Sequence, residues 1–277
     1  MSAGTLLRNE ILKMRKRLAF WITFGLFLFM TVMNNLDSYL DARRDPKETF
    51  ALPRAWGVIL NSNFSIATLM FGSVVLILLM SSEFTWRTAR QNVIDGLTKS
   101  QWYAGKVALL PVVAVILILA QVAIGGGFAL AGTDADAAEA ALFGLPFFQA
   151  LGGFFLGFFV AGGLALTVAM AVRASGPAMA AWFGWFAIGE QLLPAGLGRL
   201  FPGLRPALGY LPMQTARRLL DYNEYDPAAF QRITEAAEAA GRPPPEPAAL
   251  GTAFLVALGW IILFVGGSYV WFRRRDL

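Results

Sequence analysis

The chain has 277 residues, of which 57% are hydrophobic and only 15% are charged. Soluble domains carry about 25% charged residues, so this sequence lacks the polar surface that a water-soluble globule of this length needs. It contains no cysteine and no histidine, which excludes disulfides, thiolate metal sites, imidazole bases and the usual zinc and haem sites. The net charge of +5 is informative mainly through its distribution along the chain.

Residues 1–17 are predicted to form an amphipathic helix at the cytoplasmic membrane interface. Leu7, Ile11, Met14 and Leu18 recur at helical spacing, which places them on one face, and the charged residues lie off it. No small-residue cleavage site follows the basic run, so we do not expect a cleaved signal peptide. Two interpretations remain open: a basic anchor near anionic lipid, or a lever that contacts a cytoplasmic partner.

Six apolar blocks of bilayer-spanning length follow. They cover residues 18–36, 60–80, 107–130, 146–172, 177–197 and 249–272. The predicted fold class is therefore an all-α membrane protein, with a six-helix transmembrane domain over residues 18–277. Its largest outer segment, 198–248, begins with glycines and prolines that spoil a long helix but suit re-entrant turns inside protein. Within it, Asp226 and Pro227 have the pattern of an N-cap and a first helical residue.

The charges predict which side each loop occupies. With the N-terminus inside, thirteen cations fall on inner segments against four acids, Glu10, Glu83, Asp95 and Asp276, and the outer loop 132–145 has three acids and no cation. The inner cations are Arg8, Lys13, Arg15, Lys16, Arg17, Arg87, Arg90, Lys99, Lys106, Arg173, Arg273, Arg274 and Arg275. Because cations beside membrane helices favour the cytoplasmic side, we predict a multi-pass inner (plasma) membrane protein with both termini cytoplasmic.

The inner loop 81–106 has the strongest pattern of polar and helix-forming residues. Ser81 or Ser82 can cap a short helix there, and Glu83 and Arg87 stand four residues apart and can form an ion pair.

Gly96 then breaks the segment, and Thr98 or Ser100 can cap the next helix. On physical grounds alone, such a basic helical loop can either dock on a soluble protein or form a solvated hairpin.

The loop resembles the cytoplasmic loop of ABC-2-type transporter permeases. The residues that carry the resemblance are Glu83, Thr88, Arg90, Gly96, Leu97, Thr98, Lys99, Gly105 and Lys106. The ending Phe272-Arg-Arg-Arg-Asp-Leu277 is similar to the Phe-x-x-Arg-Asp-Leu close of such permeases, and the helix with Glu10 and Lys13 before the first span also fits. Arg87 stands where glycine is usual in that family.

The resemblance implies the membrane-spanning permease subunit of an ATP-driven ABC exporter. A second permease copy or a homologue would complete the pore or cleft, and ABC ATPase subunits would dock beneath it on a coupling helix over 82–92. The residues expected to couple to the ATPase are Glu83, Phe84, Arg87, Thr88, Arg90 and Lys99.

The chain is not expected to hydrolyse ATP itself. Residues 100–107 lack the leading glycine and the final Ser/Thr of a phosphate-binding loop, so ATP and Mg²⁺ would bind to the partner ATPase subunit. We predict no cofactor and no metal site in this chain, and membrane lipid but no nucleic acid as a further partner.

Glu190 is the one acidic residue deep within an apolar block. A charge near mid-bilayer costs about 2.5–3.5 kcal/mol, so its side chain should face protein or water. It either serves a substrate path or gate, or is a buried carboxyl bonded to Gln191 or to backbone freed by Pro194. Trp182, Trp185 and Phe186 either line the same apolar path or are packing residues. Gly153 and Gly157 permit close helix packing, at a dimer seam or within the chain.

Two other classes of protein are weaker alternatives. A stand-alone secondary transporter or channel is expected to place several ionisable groups at mid-membrane, where Glu190 is the only clear acid. A membrane-embedded enzyme is poorly supported, because the spans contain no cluster of carboxylates, no histidine and no cysteine.

Overall fold

The computed structural model describes residues 3–44, 50–133, 143–244, 247 and 249–274. Across these ranges the regular structure is helical and no strand occurs, which confirms the all-α class. The acidic residues of the predicted outer loop 132–145, and the last three residues of the C-terminal motif, lie outside the described residues.

Fifteen α-helices make up the described chain. They are α1 (Ala3–Arg15), α2 (Leu18–Arg44), α3 (Trp56–Ile59), α4 (Ser62–Thr85), α5 (Thr88–Ile94), α6 (Lys99–Val107), α7 (Leu109–Ala131), α8 (Leu145–Val172), α9 (Ser175–Gly184), α10 (Glu190–Leu200), α11 (Arg205–Leu208), α12 (Pro212–Leu220), α13 (Pro227–Ala239), α14 (Leu250–Ile261) and α15 (Gly267–Arg274). Two π-helical turns, Trp185–Gly189 and Ile262–Gly266, join α9 to α10 and α14 to α15.

Five helical stretches of the described chain are long and apolar enough to cross a membrane. They are Leu18–Arg44, Ser65–Thr85, Lys99–Ala131, Leu145–Val172 and Leu250–Arg274. They overlap five of the six predicted blocks. The fifth block, 177–197, is helical as well, but it is not among these stretches. Pro194 inside α10 and the polar pair Glu190-Gln191 lower its hydropathy.

The long helix α8 lies at the centre of the bundle, where it packs against α4, α9, α12 and α14. Its glycines allow this close packing. A Cβ added at Gly153 would lie 2.2 Å from the Leu219 carbonyl oxygen, and one at Gly157 would lie 3.4 Å from the Ala216 carbonyl oxygen. Both glycines therefore face α12 of the same chain.

The outer segment 198–248 is divided into short helices, as its glycines and prolines predict. Helix α12 is the part that enters the bundle: it contacts α4, α8 and α14, and it buries Met213, Ala216 and Leu219. The Asp226 side chain accepts a hydrogen bond from the Ala228 N–H at 3.1 Å and caps α13. This confirms the predicted N-cap.

The first and last described helices meet at one end of the bundle, because both contact α6. The Lys99 Nζ donates to the Arg273 carbonyl oxygen at 3.4 Å, and the ring of Trp102 stacks on Phe272 with centroids 4.9 Å apart. At the opposite end of the bundle, contacts form between other loops of the chain. For example, the Tyr222 N–H donates a hydrogen bond to the Leu60 carbonyl oxygen at 3.1 Å. Both ends of the described chain thus lie on the same side of the bundle.

Candidate functional site

Four charged side chains from three helices form a buried network that we call the charged cluster: Glu10 and Lys13 of α1, Glu83 of α4 and Lys106 of α6. The Lys106 Nζ lies 2.5 Å from Glu83 Oε1 and 2.5 Å from Glu10 Oε2. The Lys13 Nζ lies 2.9 Å from Glu10 Oε1 and 3.1 Å from Glu83 Oε1. Glu83 and Lys106 are each 1% exposed.

The cluster is neutral, since two carboxylates face two ammonium groups. The second oxygen of Glu83 accepts a hydrogen bond from the Trp102 indole at 3.0 Å, so both of its oxygens are bonded. A buried charge is tolerated only when it is paired and hydrogen-bonded in this way. The cluster thereby joins α1, α4 and α6 with interactions that are costly to break.

The cluster also determines the charge state of Lys13. Partial burial lowers the pKa of Lys13, but the charge of Glu83 and the hydrogen bond and charge of Glu10 outweigh this effect. The pKa therefore lies above its ordinary value, and the ammonium group stays charged at neutral pH.

The prediction that the coupling helix begins at residue 82 was wrong. Helix α4 continues through Ser81 and Ser82 to Thr85, so neither serine is an N-cap, and the Ser82 hydroxyl donates to the Leu79 carbonyl oxygen at 3.1 Å. The short helix is α5, which begins at Thr88 after Arg87 in the left-handed region, with φ of 57°.

The predicted ion pair between Glu83 and Arg87 was also wrong. Glu83 is bound by Lys106 and Lys13 inside the protein, whereas Arg87 lies on the surface. An exposed pair at i and i+4 contributes only about 0.3–0.5 kcal/mol, whereas a buried carboxylate without a partner is costly. The left-handed Arg87 also departs from the helix that would bring the two side chains together.

Helix α5 presents polar and apolar side chains to the surface. Arg87, Thr88, Arg90 and Gln91 are exposed, and Ile94 is 66% exposed. Trp86, in the turn before α5, is 65% exposed. Sequence reasoning missed both large apolar residues, although their place in an otherwise polar loop is a signal that could have found them.

The other predicted coupling residues support this surface from behind. Phe84 is half-buried, with the Arg173 guanidinium 5.1 Å from its ring centroid. Gly96 ends the segment with φ of 102°. Thr98, one of the two predicted caps, caps α6 in a capping box with Gln101, and Lys99 is half-buried near the end of α15. The six predicted residues thus lie at one end of the bundle, with Glu83 inside it.

Glu190 lies apart from this end and is 1% exposed. Its carboxylate accepts hydrogen bonds from the Met213 and Gln214 N–H groups at 2.8 and 2.9 Å and from the Trp185 indole at 2.9 Å. It therefore caps the N-terminus of α12, where a negative charge is favourable. Its partners are not Gln191 or the backbone near Pro194, because α12 brings unpaired N–H groups to the carboxylate from a distant part of the chain.

The aromatic residues considered for an apolar path have two different sets of contacts in the structure. Trp182 is fully buried in the core and stacks on Phe186 with ring centroids 5.6 Å apart. Trp185 is half-buried and bound to Glu190. These contacts are those of packing and positioning residues.

Replacing Glu190 by alanine is expected to loosen α12, because it removes three hydrogen bonds to a carboxylate. Hydrogen bonds to charged groups contribute about 1.5–3 kcal/mol each, so the loss of all three should lower the unfolding free energy in detergent by about 4.5 kcal/mol or more. The neighbouring variant Gln191→Ala is the matched control, since Gln191 is exposed and should unfold like the parent. Equal stability of the two variants would show that the cap contributes nothing.

The helices that can cross a bilayer make this chain an integral membrane protein. Residues 6–190, about two thirds of the chain, match the family described as ABC-2 family transporter protein. The matched region contains the charged cluster, α5 and Glu190. The chain belongs to the ABC-2 transporter family and is a permease of that type, which confirms the resemblance seen in the loop 81–106. No match was found among the curated proteins.

Proposed function

We propose that this chain is the permease subunit of an ATP-driven exporter, and that it couples ATP hydrolysis in separate ABC ATPase subunits to the export of a substrate. The observation that carries the proposal is α5. It is a short helix with an exposed polar and apolar face, and it follows directly on a long apolar helix whose last turn contains Glu83.

The coupling path runs through the charged cluster. A force on α5 would reach the end of α4 through the turn at Trp86 and Arg87. Glu83 would then pass it to α1 through Lys13 and to α6 through Lys106, and α6 leads into the apolar helix α7. Packed helices that respond as rigid bodies switch between discrete states, here the inward- and outward-facing ones.

The predicted coupling residues take different parts in this proposal. Arg87, Thr88 and Arg90 are exposed and would contact the ATPase directly. Phe84 and Lys99 would support that surface, and Glu83 would act as a positioning residue from the interior. ATP and Mg²⁺ would bind only to the ATPase, and a second permease copy or a homologue would complete the transport path.

Six crossings with both termini in the cytoplasm fit the arrangement best. Both ends of the described chain lie on the same side of the bundle, and an even number of crossings is needed for that. The helical segment 175–200 would supply the sixth crossing beside the five apolar stretches. The side with α1 carries the basic residues of 13–17, which favours the cytoplasmic face of the inner membrane.

The proposed contact between α5 and the ATPase is tested by replacing exposed residues of α5 with acidic ones. We expect the double variant Arg90→Glu, Ile94→Asp to weaken co-purification of a co-expressed ABC ATPase subunit by about tenfold or more, since central interface residues dominate binding. ATP hydrolysis by the complex in lipid vesicles should lose its stimulation by the permease. Arg232→Glu with Ile233→Asp makes the same changes on exposed α13 and should have no effect. Unchanged association of the α5 variant would refute the docking assignment.

A further inference from the structure

A cleft of about 620 Å³ lies between the turn that joins α1 to α2 and the last turns of α4. We call it the interfacial cleft. Its volume is within the range of ligand sites, about 300–1,000 Å³. One wall is apolar and belongs to two of the helices that can cross the membrane. The residues of this wall are Leu18, Ala19 and Phe20 of α2 and Val75, Leu78 and Leu79 of α4.

The other end of the cleft is basic, with Lys16 and Arg17 in the turn between α1 and α2. The Arg17 guanidinium is held in place: it donates to the carbonyl oxygens of Leu78 and Leu79 at 3.3 and 3.4 Å and to the Ser82 hydroxyl. These acceptors are neutral, so they orient the guanidinium without compensating its charge.

The two charges have no ion-pair partner within the described part of the chain. Glu10 and Glu83 are the carboxylates that act on Arg17 electrostatically, but Lys13 and Lys106 already bind both of them. Because the charged cluster is neutral by itself, the basic end of the cleft retains two positive charges.

The start of α9 adds backbone donors to the same end. Ser175, its first residue, lines the cleft, and the preceding residue Ala174 provides no side-chain cap. Pro177 has no N–H, and the Ala178 N–H donates to the Ala174 carbonyl oxygen. The Ser175 and Gly176 N–H groups are therefore the ones without a partner in the helix. Such N–H groups favour an anionic group such as a phosphate.

From this arrangement we infer that the interfacial cleft is a binding site for one anionic phospholipid, with its phosphate between Lys16, Arg17 and the start of α9 and an acyl chain along α2 and α4. An anionic head with an apolar tail matches a cleft that is basic at one end and apolar along a wall formed by two helices that can cross the membrane. Leu18 is 73% exposed, so the cleft opens toward the surrounding lipid. Basic pockets between membrane helices have this preference for anionic headgroups. The inference does not depend on the proposed coupling to an ATPase.

The test uses the purified full chain in neutral detergent, titrated with phosphatidylglycerol, phosphatidylcholine or inorganic phosphate, with bound molecules counted by native mass spectrometry. We expect the first phosphatidylglycerol to bind about tenfold more tightly than phosphatidylcholine. Lys16→Gln with Arg17→Gln should remove about tenfold of that affinity, and Lys16→Gln alone about threefold. Arg8→Gln with Arg15→Gln removes the same charge from exposed positions outside the cleft and should change the affinity by less than twofold.

A variant that keeps the charge distinguishes binding in the cleft from diffuse electrostatic attraction of the lipid to the basic residues. Ala19→Phe places a bulky side chain in the cleft at its apolar wall. Ala19 is exposed, so the fold should tolerate the substitution, while phosphatidylglycerol binding should fall severalfold. Equal binding of the two lipids would overturn the inference, as would an equal loss in the Arg8, Arg15 variant. If inorganic phosphate competes with phosphatidylglycerol and Ala19→Phe still binds that lipid normally, the site binds a soluble anion. This result would also overturn the inference.

Discussion

Replacing Lys106 by methionine is expected to lower the unfolding free energy by about 3–5 kcal/mol, which is the usual cost of removing one partner from a buried ion pair. Lys106 and Glu83 are each 1% exposed, and the Lys106 Nζ contacts both Glu83 and Glu10 at 2.5 Å. Without it, two buried carboxylates share only Lys13. Equilibrium unfolding in neutral detergent, followed by circular dichroism, measures the change.

Two further variants show whether the loss arises from charge. Lys16→Met is the matched control, since Lys16 is exposed and forms no ion pair in the described chain. It should stay within about 0.5 kcal/mol of the parent. Adding Glu10→Gln to Lys106→Met restores neutrality and should recover part of the stability. If Lys106→Met unfolds like the parent, the cluster does not hold α1, α4 and α6 together.

Replacing Gly153 by alanine is expected to force α8 and α12 apart and to cost about 1–3 kcal/mol, the range for overpacked cores. The new methyl group would lie 2.2 Å from the Leu219 carbonyl oxygen and 2.2 Å from the Tyr225 hydroxyl oxygen. The first of these is backbone and cannot rotate away. Thermal unfolding in detergent measures the effect.

The adjacent glycine provides the control for this substitution. A Cβ at Gly152 meets nothing within 4 Å, so Gly152→Ala should be neutral or should stabilise α8 through its better helix propensity, by up to about 1 kcal/mol. Adding Tyr225→Phe to Gly153→Ala should restore only part of the stability, because the contact with the Leu219 carbonyl oxygen remains and the hydrogen bond from the Tyr225 hydroxyl to that oxygen is lost. Equal stability of the two alanine variants would contradict the close packing of α8 on α12.

The correct sequence predictions concern features whose causes lie within a few residues. Thr98 caps α6 with Gln101, three residues away, and Asp226 caps α13 through Ala228. The apolar blocks are recognisable for a similar reason, since a helix of about 20 apolar residues satisfies its own backbone inside a bilayer. The fifth block was harder, because Glu190, Gln191 and Pro194 lower its hydropathy although the segment is helical.

The predictions that failed for buried carboxylates concern side chains with possible partners both nearby and far away in the chain. Glu83 was expected to pair with Arg87 at i+4, but it binds Lys106 and Lys13, which lie 23 and 70 residues away in the chain. For Glu190, one of the two predicted alternatives was a buried carboxyl with local partners, but its acceptor oxygens are used by α12, 23 and 24 residues away. A buried carboxylate takes the partners with the best geometry in the folded bundle, and local spacing does not reveal them.

The amino-acid sequence by itself determined the helical membrane class, the caps at Thr98 and Asp226 and the polar loop at the end of the second span, because each follows from composition or short-range spacing; the family resemblance came from short motifs in the same sequence. Only the tertiary structure decided that Glu83 is enclosed in the charged cluster, that Gly153 and Gly157 face α12, and that Glu190 caps that helix. These contacts join segments that are distant in the chain, and they exist only when the packing of the bundle brings those segments together.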